Sequence, residues 1–402
     1  MRNPAFVQVV GPLAPFAAGF RVRLELVGYA PESRAVHLRL MAQLSRWLVE
    51  RGLDGSVLSS AVMDEFLRGR RARRQSARSI RSRRSPLLEY LREIGVSPLP
   101  VQQVDGPVEV LLVDYGAYLA HERGLAATTV QRSIDLVRPF LTARVCAGGL
   151  NLTVLTAADV IAFMLSRSES ASPATVQRTG TALRSLLRFL HLQGVIGSSL
   201  VGAVPTAANW KLAGLPKYLT REQVAALLAS CDRGTAVGRR DLAVLTLLAR
   251  LGLRAGEAAA LRLEDIDWKR GEITVRGKGN RHERLPLPTD VGEVVVAYLS
   301  GSRPAAATGR EVFAGTRAPH RALTRGAVTQ LVARASRRCG LGTIYAHRLR
   351  HTAATAMLHA GGSLEEIGQV LRHRHALSTA GYAKVDHEGL RGLARPWPGS
   401  AA

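Results

Sequence analysis

The stretch from His347 to Tyr382 carries the side chains best suited to chemistry. It contains His347, Arg350 and His373, and Tyr382 follows His373 by nine residues. Arginine presents a planar fork of donors that matches phosphate oxygens, histidine transfers protons near neutral pH, and tyrosine is an oxygen nucleophile. His347 and Arg350 are three residues apart, so a helix places both on one face. These residue types and spacings suit covalent chemistry at a phosphodiester.

The surrounding sequence predicts the elements that must position these side chains. Thr220 with Gln223, and Ser363 with Glu366, have the spacing of capping boxes that open helices. Apolar spacing predicts helices in 239–251, 324–338 and 347–360, and a strand pair in 272–275 and 284–287 joined by the turn at 277–280. The second half is therefore predicted to be mostly helical with one small antiparallel sheet.

A weak internal repeat organises the first half. Residues 56–67 (SVLSSAVMDEFL) resemble 153–164 (TVLTAADVIAFM), and 87–96 (LLEYLREIGV) resemble 186–195 (LLRFLHLQGV). Two similar all-helical units are predicted, although chance likeness between amphipathic helices is the alternative. The predicted domains are an N-terminal helical unit at 1–105, a second helical unit at 106–202, a linker at 203–216, a mostly helical C-terminal domain at 217–395 that contains the candidate chemical residues, and a tail at 396–402. Met1–Phe20 is expected to be loosely packed.

An arginine-rich run lies inside the first unit, at 68–84 (RGRRARRQSARSIRSRR), and contains no acidic residue. Its candidate DNA-binding residues are Arg68, Arg70, Arg71, Arg73, Arg74, Arg78, Arg81, Arg83 and Arg84. Such a run repels itself unless counter-charges are present, and the phosphates of DNA supply them. A solvated basic loop without a dedicated role is the alternative.

Composition points to a globular protein with a polyanionic partner. Of 402 residues, 47% are hydrophobic, and 55 Lys and Arg against 31 Asp and Glu leave a net charge of +24. Nucleic acid is the default partner for such an excess, although a generally basic proteome would also produce it. Three cysteines without metal or disulfide spacing favour a reducing cytoplasm, and no apolar run reaches the roughly 18 residues of a membrane span.

Arg254, Lys278, His347, Arg350, His373 and Tyr382 occur in this order within one predicted domain. The segments around them are LGLRAGEAAALRLEDID, ITVRGKGNRHERLPLP and HRLRHTAATAMLHAGGSLEEIGQVLRHRHALSTAGYAKV. This half resembles the catalytic domain of the tyrosine recombinases, the phage integrase family. The resemblance is strong over 215–395 and weaker over 107–200, which resembles the helical core-binding domain of that family.

The resemblance implies a role for each residue. Tyr382 matches the nucleophile, which forms a 3′-phosphotyrosyl link, and Lys278 matches the acid that protonates the 5′-oxygen. Arg254 and Arg350 match the arginines that bind the non-bridging oxygens. His347 matches a residue that acts as a general base or phosphate ligand, and His373 matches a residue that donates to a non-bridging oxygen. Glu257 matches a structural acid, and Tyr345 is assigned to packing. One departure is visible, because Arg372 stands where the family usually has glycine.

The function implied is site-specific recombination of double-stranded DNA by a homo-tetramer on two DNA sites, possibly with related recombinases, in a mobile genetic element. No metal and no nucleotide cofactor is expected, nor a membrane, and the expected location is the cytoplasm in association with the nucleoid. Two alternatives stay open: a type IB topoisomerase-like nicking and closing enzyme, which shares the chemistry, and a non-catalytic DNA-binding protein on the same fold.

Overall fold

The computed structural model describes residues 7–70, 86–98, 106–146, 149–206, 218–277 and 282–372, with residue 379; the side chains of 69 and 70 are excepted. Helices dominate these residues, and two small antiparallel sheets accompany them. The predicted fold class, mainly helical with a small sheet in the catalytic domain, is confirmed. Across the same residues, no helix has the length and apolar character that crossing a membrane requires.

Backbone packing divides the chain into two compact units. Val101–Ala213 form one, and Met1–Pro100 together with Gly214–Ala402 form the other. Among the described residues, the three largest hydrophobic cores belong to the N-terminal helices, to the unit at Val101–Ala213 and to the C-terminal segment. Each predicted helical segment therefore has a core of its own, while the exact domain boundaries stay a prediction.

The N-terminal segment contains α1 (Ala17–Leu26), α2 (Pro31–Glu50), α3 (Ser60–Arg70) and α4 (residues 86–93). Leu13 and Phe20 are fully buried in the core of these helices. The expectation of loose packing up to Phe20 is therefore wrong from Leu13 onward. Pro15 does not prevent this packing, because it lies in the first turn of a short 3₁₀ helix, Ala14–Phe16, where a missing N–H is tolerated.

The described residues of the unit at Val101–Ala213 also contain four α-helices. They are α5 (Pro107–His121), α6 (Ala127–Thr142), α7 (Ala157–Ser170) and α8 (Pro173–Leu192). Between α6 and α7 lies a two-residue antiparallel pair, β1 (Val145–Cys146) and β2 (Gly149–Leu150). The sequence predicted only helices here, because strands of two residues are too short to show alternation.

Equivalent positions of the proposed repeat begin their helices in the same way. Ser59 accepts the backbone N–H of Val62 and precedes α3, and Thr156 accepts the N–H of Asp159 and precedes α7. Both caps satisfy donors that the first turn of a helix leaves without a partner. The two helices therefore start at matching positions of the aligned segments 56–67 and 153–164.

The ends of α4 and α8 match as well. Gly95 and Gly194 have φ of 74° and 70°, a left-handed conformation that glycine adopts without strain. The next residue in each case, Val96 or Val195, donates its N–H to the carbonyl five residues earlier, at 2.8 and 2.9 Å. Shared starts and shared ends support a true internal repeat over chance likeness.

The C-terminal segment surrounds a central buried helix. Its elements are α9 (Arg221–Ala229), α10 (Ala236–Arg250), α11 (Ala255–Ala260), β3 (Ile266–Asp267), β4 (Glu272–Arg276), β5 (His282–Pro286), α12 (Thr289–Gly301), α13 (Arg325–Arg338), α14 (Ala346–His359) and α15 (Leu364–Val370). Helix α10 packs against α12 and α14, while α11 packs against α13. The capping boxes predicted at Thr220 and Ser363 are both present.

The sheet of this segment is three-stranded and antiparallel, in the order β3-β4-β5. In the hairpin, Glu272 pairs with Pro286 and Arg276 with His282. The predicted strand pair is confirmed, although β4 extends one residue further and β5 begins two residues earlier than expected. The third strand, β3, was not predicted because it has only two residues.

Candidate active site

Three of the six predicted catalytic side chains line one cavity of about 720 Å³. Arg254, His347 and Arg350 contribute to its wall. Arg276 and Gly277, which immediately precede Lys278 in the chain, line the same cavity. Lys278, His373 and Tyr382 themselves lie outside the described residues. The structure therefore brings half of the predicted set together and leaves the roles of all six as predictions.

Arg350 is the most buried of the three, with 2% of its surface exposed. Its Nη1 donates to the carbonyl of Gly252 at 2.7 Å, and its Nη2 donates to the carbonyl of Leu371. Gly252 has φ of 58°, and a Cβ built there would lie 2.6 Å from Leu371 Cδ2. Glycine is therefore required at 252, and α14, the α10–α11 connection and the end of α15 together fix the Arg350 guanidinium.

Arg254 stands at the N-terminus of α11 and is held by Glu257. The backbone N–H of Arg254 donates to Glu257 Oε2 at 2.8 Å, and its Nη1 donates to Oε1 at 2.6 Å. Its Nη2 also donates to the carbonyl of Arg372 at 3.2 Å. The side chain keeps 45% of its surface exposed, so the guanidinium is both positioned by the protein and open to an anion in the cavity.

His347 and His351 lie one turn apart on α14 and pack edge to face, with ring centroids 4.2 Å apart. His347 remains exposed to solvent, yet desolvation by the surrounding protein and the charges of Arg350 and Arg254 hold its pKa below the ordinary value. The nearby cations act in the same direction as burial, because both disfavour the protonated imidazole. Neutral His347 can accept a proton at physiological pH, as a general base must.

Other residues of the cavity wall were not predicted from sequence. Arg325 and Thr329 lie one turn apart on α13, and Arg276 lies at the end of β4. Arg276 donates to Asp265 at 2.7 Å, and this hydrogen bond raises the pKa of Arg276. An arginine on an amphipathic helix is ordinary, so only the fold shows that Arg325 faces the same cavity as Arg254.

The assignment of Tyr345 to packing is wrong. Its side chain lines the cavity and 53% of its surface is exposed. Tyr345 is the N-cap residue of α14 and has an extended backbone, so it precedes the helical residues His347 and Arg350 that line the same cavity.

The arginine run is described only at its start. Arg68 is exposed on α3 and donates Nε to the carbonyl of Asp64 at 3.4 Å, and Arg70 is the last residue of that helix. The seven other arginines lie outside the described residues. In the part of the chain that the structure describes, no group of three or more His, Cys, Asp or Glu could hold a metal ion.

Comparisons with known proteins agree on one family. A model described as the phage integrase family matches residues 217–388. A Sinorhizobium fredii protein, y4rA, whose name assigns it to the integrases or recombinases, is 38% identical over 396 residues, 97% of this chain and 96% of that protein. The tyrosine recombinase XerD of Listeria monocytogenes is 30% identical over 280 residues, 68% of this chain and 94% of that protein.

Solved structures share the fold at lower sequence identity. A XerH site-specific recombinase bound to a palindromic difH substrate, in a post-cleavage complex, has a TM-score of 0.56 at 18% identity, and the match covers 74% of this chain and 99% of that one. A lambda integrase tetramer bound to a Holliday junction has a TM-score of 0.54 at 17% identity, covering 74% and 85%.

The stability of the C-terminal segment should fall on mild acidification because of His351. Burial, followed by His347 and Arg350, lowers the pKa of His351 to about 4. The unfolded chain binds a proton near pH 6.5, so stability is fully present above that pH and is lost as pH falls towards about 4. The replacement His351→Gln should make the melting temperature depend less on pH between 6.5 and about 4. An unchanged pH dependence in this variant would show that His351 is not held neutral.

Proposed function

Because the chain belongs to the phage integrase family of tyrosine recombinases, which are DNA strand transferases, we propose that it cleaves and rejoins DNA at a specific site with the six residues named above. One observation carries the residue assignment. Arg254, Arg350 and His347, which are 96 residues apart at their extremes, line a single cavity. Two positioned guanidinium groups beside a neutral imidazole form a site for one phosphate diester.

In the proposed reaction, the Tyr382 hydroxyl oxygen attacks the scissile phosphorus. Its proton passes to a base, for which neutral His347 is the candidate. The bond from phosphorus to the 5′-oxygen breaks, and that oxygen leaves with the electron pair and takes a proton from Lys278. The product is a 3′-phosphotyrosyl link with a free 5′-hydroxyl, so reversal by another 5′-hydroxyl rejoins DNA without an external energy source.

The two arginines would act at the transition state. Charge accumulates on the non-bridging oxygens as phosphorus becomes pentavalent, and preorganised cations lower the barrier because they need not reorient. Arg350 is fixed by two carbonyls and Arg254 by a carboxylate and a carbonyl, so both side chains are already ordered. His373 would supply a further donor to the same oxygens.

Strand exchange between two sites needs four active sites, which supports a homo-tetramer on two DNA segments, possibly mixed with related recombinases. The lambda integrase tetramer on a Holliday junction shares the fold of this chain. The integrase or recombinase y4rA matches nearly the whole chain, including the N-terminal unit, and this supports a role in a mobile genetic element. The proposed location is the cytoplasm, in association with chromosomal DNA, because DNA is the proposed substrate.

Tyr382→Phe should abolish covalent attachment while DNA binding stays close to normal, because only the nucleophilic oxygen is lost. A suicide substrate nicked near the cleavage position traps the adduct, which is measured as a shifted band after denaturation. Tyr345→Phe is the matched control, since Tyr345 is an exposed tyrosine that lines the cavity, and this variant should keep the adduct. An adduct that survives in the Tyr382 variant, or that maps to Tyr345, contradicts the assignment.

Relaxation and binding assays, run beside the trapping assay, separate the proposed enzyme from its alternatives. Relaxation of supercoiled DNA without a preferred site would favour the topoisomerase-like activity. Sequence-specific binding without any adduct in the unchanged protein would favour a DNA-binding protein on this fold.

Arg254→Ala should slow cleavage by roughly 100- to 1000-fold, or about 2.7–4 kcal/mol, with far less effect on DNA affinity. Single-turnover cleavage and binding are measured on one substrate. Arg250→Ala is the matched control, because Arg250 is similarly exposed, pairs with Asp290 at 2.7 Å and does not line the cavity. Equal losses of binding and cleavage in the Arg254 variant would mean that this arginine only positions DNA.

The arginine run is proposed to contact DNA phosphates outside the cleavage position. Each phosphate contact adds about −0.9 to the slope of log affinity against log salt concentration. Replacing Arg74, Arg78, Arg81, Arg83 and Arg84 with glutamine should flatten that slope by several units, while preference between sites changes little. Replacing the same five with lysine keeps the charge and should keep the slope. An unchanged slope in the glutamine variant would identify a solvated loop.

A further inference from the structure

We propose that Arg372 is a positioning residue for Arg254 and acts through the carboxylate of Glu257, which both arginines share. The inference rests on the proposed strand cleavage and deepens it. It concerns the position at which the family resemblance predicts glycine, so the side chain is a property of this chain.

One buried carboxylate binds both arginines. The side chains of Arg372 and Glu257 have only 3% and 6% of their surface exposed, and Arg372 Nη2 donates to Glu257 Oε2 at 2.8 Å. The same Oε2 accepts the backbone N–H of Arg254, while Oε1 accepts Arg254 Nη1. Arg372 therefore fixes the oxygen that anchors the backbone of Arg254 and orients the oxygen that binds its guanidinium.

The backbone of Arg372 contacts Arg254 as well. Arg372 has φ of 58°, a left-handed conformation that is strained for any residue with a Cβ. In this conformation its N–H donates to the carbonyl of Gln369 at 2.8 Å, and its carbonyl accepts Arg254 Nη2 at 3.2 Å. Glycine would provide the same carbonyl without strain. The arginine side chain adds a hydrogen bond to the carbonyl of Val370 at 3.0 Å and the bond to Glu257, and of these two only the second connects it to Arg254.

The charge balance around Glu257 explains why a second arginine matters. Among the described residues, the cavity is also lined by the phenol of Tyr345 and by five cationic or basic side chains: Arg254, Arg276, Arg325, His347 and Arg350. Burial alone would favour the protonated form of Glu257, but Arg372 and then Arg254 hold its pKa below the ordinary value. A protonated Glu257 accepts fewer hydrogen bonds and would release Arg254, so Arg372 keeps the anchor ionised.

Arg372→Gly is the informative variant, because glycine fits the left-handed backbone and keeps the carbonyl. We expect its cleavage rate to approach that of the unchanged protein near pH 8 and to fall severalfold further behind as the pH is lowered towards 5, because the loss of Arg372 raises the pKa of Glu257 and more of this carboxyl is then protonated. His347 titrates in both proteins, so a background in which Glu257 cannot titrate is needed as the control. In a Glu257→Gln background, the same change should leave the ratio of the two cleavage rates independent of pH.

Two further variants separate positioning from a general loss of stability. Arg372→Lys restores a positive charge and should recover much of the cleavage at low pH. Arg240→Met breaks the pair of Arg240 and Asp241, which is equally buried at 7% and 3% exposure but does not line the cavity. It should lower the melting temperature without a pH-dependent cleavage defect. A pH-independent ratio for Arg372→Gly, or the same pH profile in Arg240→Met, overturns the inference.

Failure of the proposed function would be visible separately, as absence of any adduct in the unchanged protein. In that case the melting temperature of the DNA-free protein still tests Arg372. Arg372→Gly should lower it more in the presence of Glu257 than in the Glu257→Gln background, because the two side chains interact. Equal shifts in both backgrounds would contradict the shared carboxylate.

Discussion

Two backbone carbonyls accept hydrogen bonds from the buried guanidinium of Arg350. This interaction joins the segments that form the wall of the cavity. Removing a cation from water is costly unless its donors are satisfied, and the carbonyls of Gly252 and Leu371 satisfy two of them. Carbonyl dipoles solvate the charge without neutralising it. The positive charge therefore stays available to an anion, and the close approach of the three segments requires glycine at 252.

Arg254 is held by the opposite means. It is half exposed and is bonded to a carboxylate, whereas Arg350 is buried and bonded to carbonyls. The two arginines thus differ in solvent access and in the charge of their partners. Glu257 does for Arg254 what the two carbonyls do for Arg350, since it holds the guanidinium in place. Its single negative charge binds two guanidinium groups, Arg254 and Arg372, so the region keeps a net positive charge.

The sequence predicted those structural features that depend on residues close together in the chain. The capping boxes at Thr220 and Ser363 were identifiable because cap and acceptor are three residues apart, and the hairpin of β4 and β5 because its strands are adjacent in the chain. The two-residue strands and the helix Thr289–Gly301 were missed. The burial of Leu13 was also missed, because it depends on helices that lie further along the chain.

The candidate site divides in the same way. The family resemblance, carried by residue types and their order, identified Arg254, His347 and Arg350, which the structure brings to one cavity. Sequence could not show that Arg325 faces them, that Tyr345 is exposed there, or that the carbonyl of Arg372 binds Arg254. These contacts join segments far apart in the chain, and no periodicity or local motif encodes them. Arg372 was noticed only as a departure from glycine.

The hydrogen bonds from Arg350 to the two carbonyls also determine when this part of the chain can fold during synthesis. These two hydrogen bonds join residues separated by 98 and 21 positions, and the second carbonyl lies beyond the end of α15. A chain emerges from the ribosome with its N-terminus first, and domains fold in that order. The helical units near the N-terminus can therefore fold before the contacts of Arg350 form. A growing or truncated chain that lacks α15 and Leu371 has only one of the two carbonyls that hold the Arg350 guanidinium, so this wall of the cavity is completed late in synthesis.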